Sequence, residues 1–89
     1  MKSILPNQSA SHSPVQSAAQ LGVLVRSSRL AMGLTQPQLA LAAGCGLRFI
    51  VELEAGKPTV RFENVMRVVQ ALGASLHFEA ASSSSTKSK

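Results

Sequence analysis

Apolar residues along this chain recur at helical spacing in four stretches and alternate in a fifth. The first stretch covers about Ser17 to Ala31. Leu21, Leu24, Val25 and Met32 mark its apolar stripe, and Gly33 suits a left-handed helix stop. A second helix starts after Thr35. Thr35 and Gln38 have the T-x-x-Q spacing of a capping box. Pro37 falls in the first turn, where a missing N–H breaks no intrahelical bond. Leu39, Ala40 and Ala43 point inward, and Ala40, Ala42 and Ala43 let a crossing helix approach closely. Gly44 and Gly46 bracket Cys45 in a turn. The third helix spans about Leu47 to Ala55, buries Ile50 and Leu53, and ends at Gly56. The fourth spans about Phe62 to Leu72, with Phe62, Val65, Met66, Val69 and Leu72 on one face, and Gly73 closes it.

The period then changes. From Ala74 to Ala80, Leu76 and Phe78 alternate with Ser75, His77 and Glu79, the mark of a half-buried strand. No other stretch of the sequence reads as a strand, so its backbone groups need a partner from elsewhere. The simplest partner is the same strand of a second copy, paired antiparallel across a two-fold axis. The pattern therefore predicts a homodimer sealed by Ser75, Leu76, His77, Phe78 and Glu79. The alternative is that this stretch is loop. Residues 1–15 are rich in Ser, Pro, Gln and Asn, and residues 82–89 read SSSSTKSK. Both are expected to be disordered, which leaves one domain over 16–81. The expected fold is all-α, four to five helices with one short C-terminal strand.

Composition narrows this picture only a little. Eighty-nine residues make one small domain, and with neither Trp nor Tyr its core is aliphatic. The formal net charge is +5, but Lys2, Lys87 and Lys89 lie in the tails. Arg26, Arg29, Arg48, Lys57, Arg61 and Arg67 then face Glu52, Glu54, Glu63 and Glu79, a mildly positive balance that supports nucleic-acid binding weakly. Cys45 stands alone, so neither a disulfide framework nor a cysteine zinc site can be built. It reads as a small turn residue. His12 and His77 have no ligand set beside them. No apolar run approaches the roughly 20 residues of a bilayer span, and the N-terminus lacks an apolar signal region. A bacterial cytoplasm with no membrane partner is the expectation. No nucleophile–base pair, metal set or phosphate loop is present, so neither an enzyme nor a cofactor is expected.

The chemistry concentrates between Leu34 and Lys57. Two short helices joined by a glycine turn form the arrangement that lays its second helix in the DNA major groove. The outward residues of that helix are Leu47, Arg48, Val51 and Glu52. An arginine at position 48 can bond guanine O6 and N7 together, worth about 1–3 kcal/mol of discrimination. Leu47 and Val51 can touch thymine methyls. Glu52 can accept from cytosine N4 or hold Arg48 in place. The plainer reading makes Arg48 and Glu52 a solvated i,i+4 pair. Gln36, at the first position of the second helix, can hold a phosphate with the backbone N–H groups there. Thr35 serves first as the cap and second as a phosphate contact. Lys57 and Arg61 follow the third helix and face the DNA backbone.

Gly33-Leu34-Thr35-Gln36, Leu39-Ala40, Gly44, Ile50 and Glu54-x-Gly56-Lys57 together resemble the helix-turn-helix family of phage Cro and repressor proteins, the XRE family, over Leu21 to Gly73. The resemblance implies base reading at Leu47, Arg48 and Glu52, and a phosphate on Gln36. It also implies a structural ion pair between Arg29 and Glu54. Two positions depart from the family pattern. Gly46 caps the third helix where Ser or Thr is common, so this phosphate-contact position lacks a hydroxyl. Val51 follows the buried Ile where Ser is common. The run GKPTVRFENVMRVVQALGASLHFEA is similar to the HipB branch, whose members are antitoxins of the kinase HipA. In that branch a short C-terminal strand pairs across the dimer. The resemblance implies a dimer on palindromic double-stranded operator DNA that represses its own promoter and inhibits a HipA-like Ser/Thr kinase toxin. A repressor of the same fold without a toxin fits the residues as well. A pure protein-interaction module would show no salt-dependent DNA affinity.

Overall fold

Each of the four helical stretches becomes a helix, and each stops where a glycine allows the chain to turn. The structure, a computed structural model, describes residues 14–80. Its helices are α1 (Ala18–Ala31), α2 (Gln36–Ala43), α3 (Leu47–Glu54) and α4 (Phe62–Ala71). Ser17 caps α1, its hydroxyl accepting from the Gln20 N–H at 3.1 Å. Both arms of the α2 capping box form. The Gln38 N–H donates to Thr35 Oγ1 at 3.2 Å, and the Thr35 N–H donates to Gln38 Oε1 at 2.8 Å.

The α2 end sets the turn on which the rest depends. Gly44 has φ 72°, a left-handed value that a side chain would strain. It lets the Gly44 N–H reach Leu41 O at 3.2 Å and the Cys45 N–H reach Ala40 O at 3.0 Å. This nested pair of bonds satisfies carbonyls that the helix end would otherwise leave open. The same pairing closes α1, α3 and α4.

Helix α1 packs on α3, α3 on α2, and α2 on α4. The core is Val25, Leu39, Ala40, Ala43, Ile50, Leu53, Val65, Val68 and Val69, aliphatic as composition requires. Its α2 and α3 members are the residues that periodicity places inward. The outer helices differ in detail. Along α1, Gly22, Val25 and Arg29 face the core at spacings of three and four, so Leu24 sits beside that stripe and is exposed. Met32 and Ala42 are also exposed. In α4 the buried set centres on Val65, Val68 and Val69, with Val68 fully enclosed. Phe62 opens the helix at its far end and remains 68% exposed. It borders a shallow groove with Pro58, Val60 and Leu76.

No strand forms among the described residues, and residues 74–80 follow α4 without regular structure. A strand exists through its ladder, and among the described residues this segment has no strand to pair with. Leu76 and Phe78 instead line an open groove of about 700 Å³ with Leu21, Leu24, Val69 and Leu72, while Phe78 itself is 94% exposed. Residues 1–13 of the arm and all of the 82–89 tail lie outside the described residues. The last two arm residues, Pro14 and Val15, are exposed and irregular.

Candidate nucleic-acid interface

Helix α3 buries Ile50 and Leu53 and turns Leu47, Arg48 and Val51 to solvent. Arg48 is the freest of these, with 91% of its side chain exposed. Its Nε donates to Glu52 Oε2 at 3.3 Å, and Lys57 Nζ meets the same oxygen at 3.3 Å. Glu52 is thus shared by two cations. At the N-terminus of α3, Gly46 takes the cap position with φ −78° and ψ 156° and offers no side chain. Its carbonyl accepts from Phe49 and Ile50. The N–H groups at the very start of the helix are therefore left for an outside acceptor, as at helix N-termini generally.

The start of α2 is joined to the end of α3 through Gln36. The Thr35 hydroxyl is engaged as the cap. Gln36 turns its amide inward, with Nε2 donating to Glu54 Oε1 at 3.1 Å. A carboxamide nitrogen carries two N–H groups, so one remains for a phosphate. Arg61 is exposed in the α4 cap position, making no side-chain cap bond.

Beneath both helices sits an ionic network. Arg29 Nε reaches Glu54 Oε2 at 2.6 Å and its Nη2 reaches Oε1 at 3.0 Å, a two-bonded fork. Its Nη1 donates to Leu34 O at 2.8 Å. The two side chains are only 8% and 4% exposed. Arg29 so ties α1 to the α1–α2 connection and to the end of α3. The hydrogen bond to Glu54 raises the Arg29 pKa against the pull of burial. Burial pushes the Glu54 carboxyl up, but the hydrogen bonds from Arg29 and Gln36 and the charges of Arg29 and Arg26 outweigh it and hold it below its ordinary value.

Two residues that shape the interface carry no motif in the sequence. Arg67 reaches from α4 to Gly44 O at 3.5 Å while pairing with Glu63 at 3.3 Å. The i,i+4 spacing of Glu63 and Arg67 is visible in the sequence; the contact with the turn is not. Gly22 lets α1 touch the end of α3, since a Cβ there would lie 2.6 Å from Leu53 O and 2.7 Å from Glu54 O. Cys45 is half-buried, and burial raises its thiol pKa although Arg67 works the other way. A thiol kept protonated is a poor nucleophile. Among the described residues no cluster of His, Cys, Asp or Glu is placed to hold a metal, and no helix is long and apolar enough to cross a membrane.

Comparison with known proteins agrees with this geometry. The sequence profile of a family described as "Helix-turn-helix domain" matches residues 20–81. An uncharacterised HTH-type transcriptional regulator, y4mF of Sinorhizobium fredii, is 50% identical over 62 residues, 70% of this chain and 82% of that protein. Among solved structures, a HipB complex with an O4 20-mer superposes with a TM-score of 0.71 at 23% identity, covering 78% of this chain and 97% of HipB. A HipA–HipB–O2–O3 complex gives 0.71 at 22% identity, covering 76% and 96%. At such identities the likeness is one of fold.

Proposed function

We propose that this chain, which belongs to the helix-turn-helix domain family, is a dimeric repressor that reads operator DNA through α3 and serves as the antitoxin of a HipA-like Ser/Thr kinase. The observation that carries the DNA reading is the exposed face of α3. Arg48 stands clear of the domain there, between the apolar contacts Leu47 and Val51, with Glu52 beside it on the same face. Gln36, through the amide N–H that Glu54 leaves open, joins Lys57, Arg61 and the backbone at Gly46 in supplying phosphate contacts around it, and Thr35 fixes the start of the helix that carries Gln36. Bonds to phosphate set the register of the protein, and bonds to base edges set the sequence.

The dimer rests on residues Ser75 to Glu79. Their alternation, the nearly bare Phe78 and the apolar groove beside it support pairing with the same segment of a second copy. Two-fold symmetry would set the α3 helices about 34 Å apart, one turn of DNA, on a palindromic site. The antitoxin role rests on the HipB-like fold, seen in a structure that also contains HipA. The chain acts in the bacterial cytoplasm and associates with the nucleoid when bound. A repressor without a toxin is the second reading, and the relative's name, an uncharacterised HTH-type transcriptional regulator, fits it equally.

Fluorescence anisotropy on the DNA upstream of the chain's own coding sequence tests the DNA reading. Arg48→Ala should weaken site binding by about 5- to 150-fold while leaving scrambled DNA nearly unaffected. Lys57→Ala should instead weaken both alike and lower the salt slope by about 0.9. Binding that ignores salt would point to a protein-interaction module. Purification of the tagged chain from its native cell separates the two repressor readings. A stoichiometric partner with a kinase active site supports the antitoxin, and recovery of the dimer alone supports the solitary repressor.

A further inference from the structure

Glu52 holds a position that the DNA reading leaves ambiguous, because a carboxylate on a DNA-facing helix repels phosphate. We propose that Glu52 is a positioning residue that confers specificity through Arg48 rather than by touching a base. This rests on the DNA-binding reading above.

Three observations carry it. Glu52 Oε2 accepts from both Arg48 Nε and Lys57 Nζ, each at 3.3 Å. The carboxylate is therefore already occupied on the side where its two cations lie. Second, the backbone bond that closes α3, from the Lys57 N–H to Glu52 O at 3.0 Å, sets Lys57 beside that carboxylate. Its ammonium then reaches Oε2 at 3.3 Å from a side chain that is 47% exposed. Third, the bond to Arg48 uses Nε. A guanidinium has two forked edges, and engaging Nε leaves the outer edge, Nη1 and Nη2, for a guanine. Among the described residues those two nitrogens make no other hydrogen bond. Arg48 is otherwise bare at 91% exposure, so Glu52 is what restrains it.

An exposed pair of this kind adds little to stability. Its effect here is on discrimination. A tethered arginine loses less freedom when it meets the correct base, and a carboxylate beside two cations lowers their attraction to any phosphate. Glu52 thus trades overall affinity for choice of sequence.

The test measures the affinity of the full chain for its upstream DNA site and for a duplex of the same composition in scrambled order, across a salt series. Wild type, Glu52→Gln, Arg48→Ala and the double variant are compared. Glu52→Gln should bind scrambled DNA more tightly, with a steeper salt slope, and should lose about fivefold to tenfold in the ratio of site to scrambled binding. In the Arg48→Ala background the same change should cost no further discrimination, because the choice of base passes through Arg48, while a released Lys57 strengthens binding to both duplexes alike. Losses that multiply in the double variant would overturn the proposal and make Glu52 an independent base contact. An unchanged ratio in Glu52→Gln would overturn it in favour of a solvated pair. If wild type itself fails to discriminate, the DNA reading falls and this inference with it. Matching thermal melts of wild type and Glu52→Gln confirm that the fold is intact.

Discussion

Arg29 donates three hydrogen bonds from a site where 8% of its side chain meets solvent. Such a group is stable only while its partner stays charged. Glu54→Gln keeps the shape but leaves a buried cation without its counter-charge, at an expected cost of about 3–5 kcal/mol in urea denaturation at pH 7. That is a large share of the roughly 5–15 kcal/mol by which native domains are stable. The pH dependence follows from the same pair. Glu54 is held below its ordinary value of 4.5 in the folded chain. Its contribution is therefore fully present above that value and is lost as pH falls through the folded one. The wild-type urea midpoint should drop as pH falls below about 4.5, and Glu54→Gln should lack that part of the drop. Arg29 and Glu54 lie 25 positions apart, so no local pattern in the sequence joins them. Family resemblance names the pair. Gln36 and Leu34, which complete the network, are marked by nothing in the sequence as its members, because a hydrogen bond across elements has no period.

At the scale of elements, the packing of α1 on α3 depends on an absent side chain. Gly22 sits in mid-helix, where glycine is intrinsically unfavourable by about 0.5–1 kcal/mol relative to Ala. Its place is explained by the α3 carbonyls that a Cβ would strike. Gly22→Ala should thus destabilise the domain by about 1–3 kcal/mol despite the better helix propensity. A variant that melts higher than wild type would show that α1 can move away at no cost. The contrast with the helix ends is instructive. The capping box at Thr35 and Gln38 and the glycine stops are local, so the sequence displays them. The apolar stripe read from the sequence of α4 includes Phe62 and omits Val68, yet Val68 is the enclosed residue, because the choice between them depends on where α2 crosses the helix. Gly22 is hidden for the same reason, since its neighbours, Leu53 and Glu54, come from 31 and 32 residues away in the chain.

The whole molecule exposes more apolar surface at its C-terminal end than a solitary domain gains from. Phe78 is nearly bare, and Leu76 borders both grooves. The alternation of residues 74–80 is visible in the sequence, but a ladder needs a second chain and one copy cannot display it. Phe78→Glu should abolish the proposed dimer in sedimentation equilibrium, weakening association at least tenfold, because a two-fold interface built on this segment would lose two buried rings worth about 1.5–3 kcal/mol apiece. A wild-type chain that sediments as a monomer would contradict the pairing. A hydroxyl-radical footprint of the purified chain on the DNA upstream of its coding sequence shows directly whether a two-fold protein lays two α3 helices on DNA. Two protected patches are expected, related by symmetry and centred about 10 base pairs apart. Protection of a single patch would contradict the dimer, and uniform cleavage along the whole fragment would contradict DNA reading there.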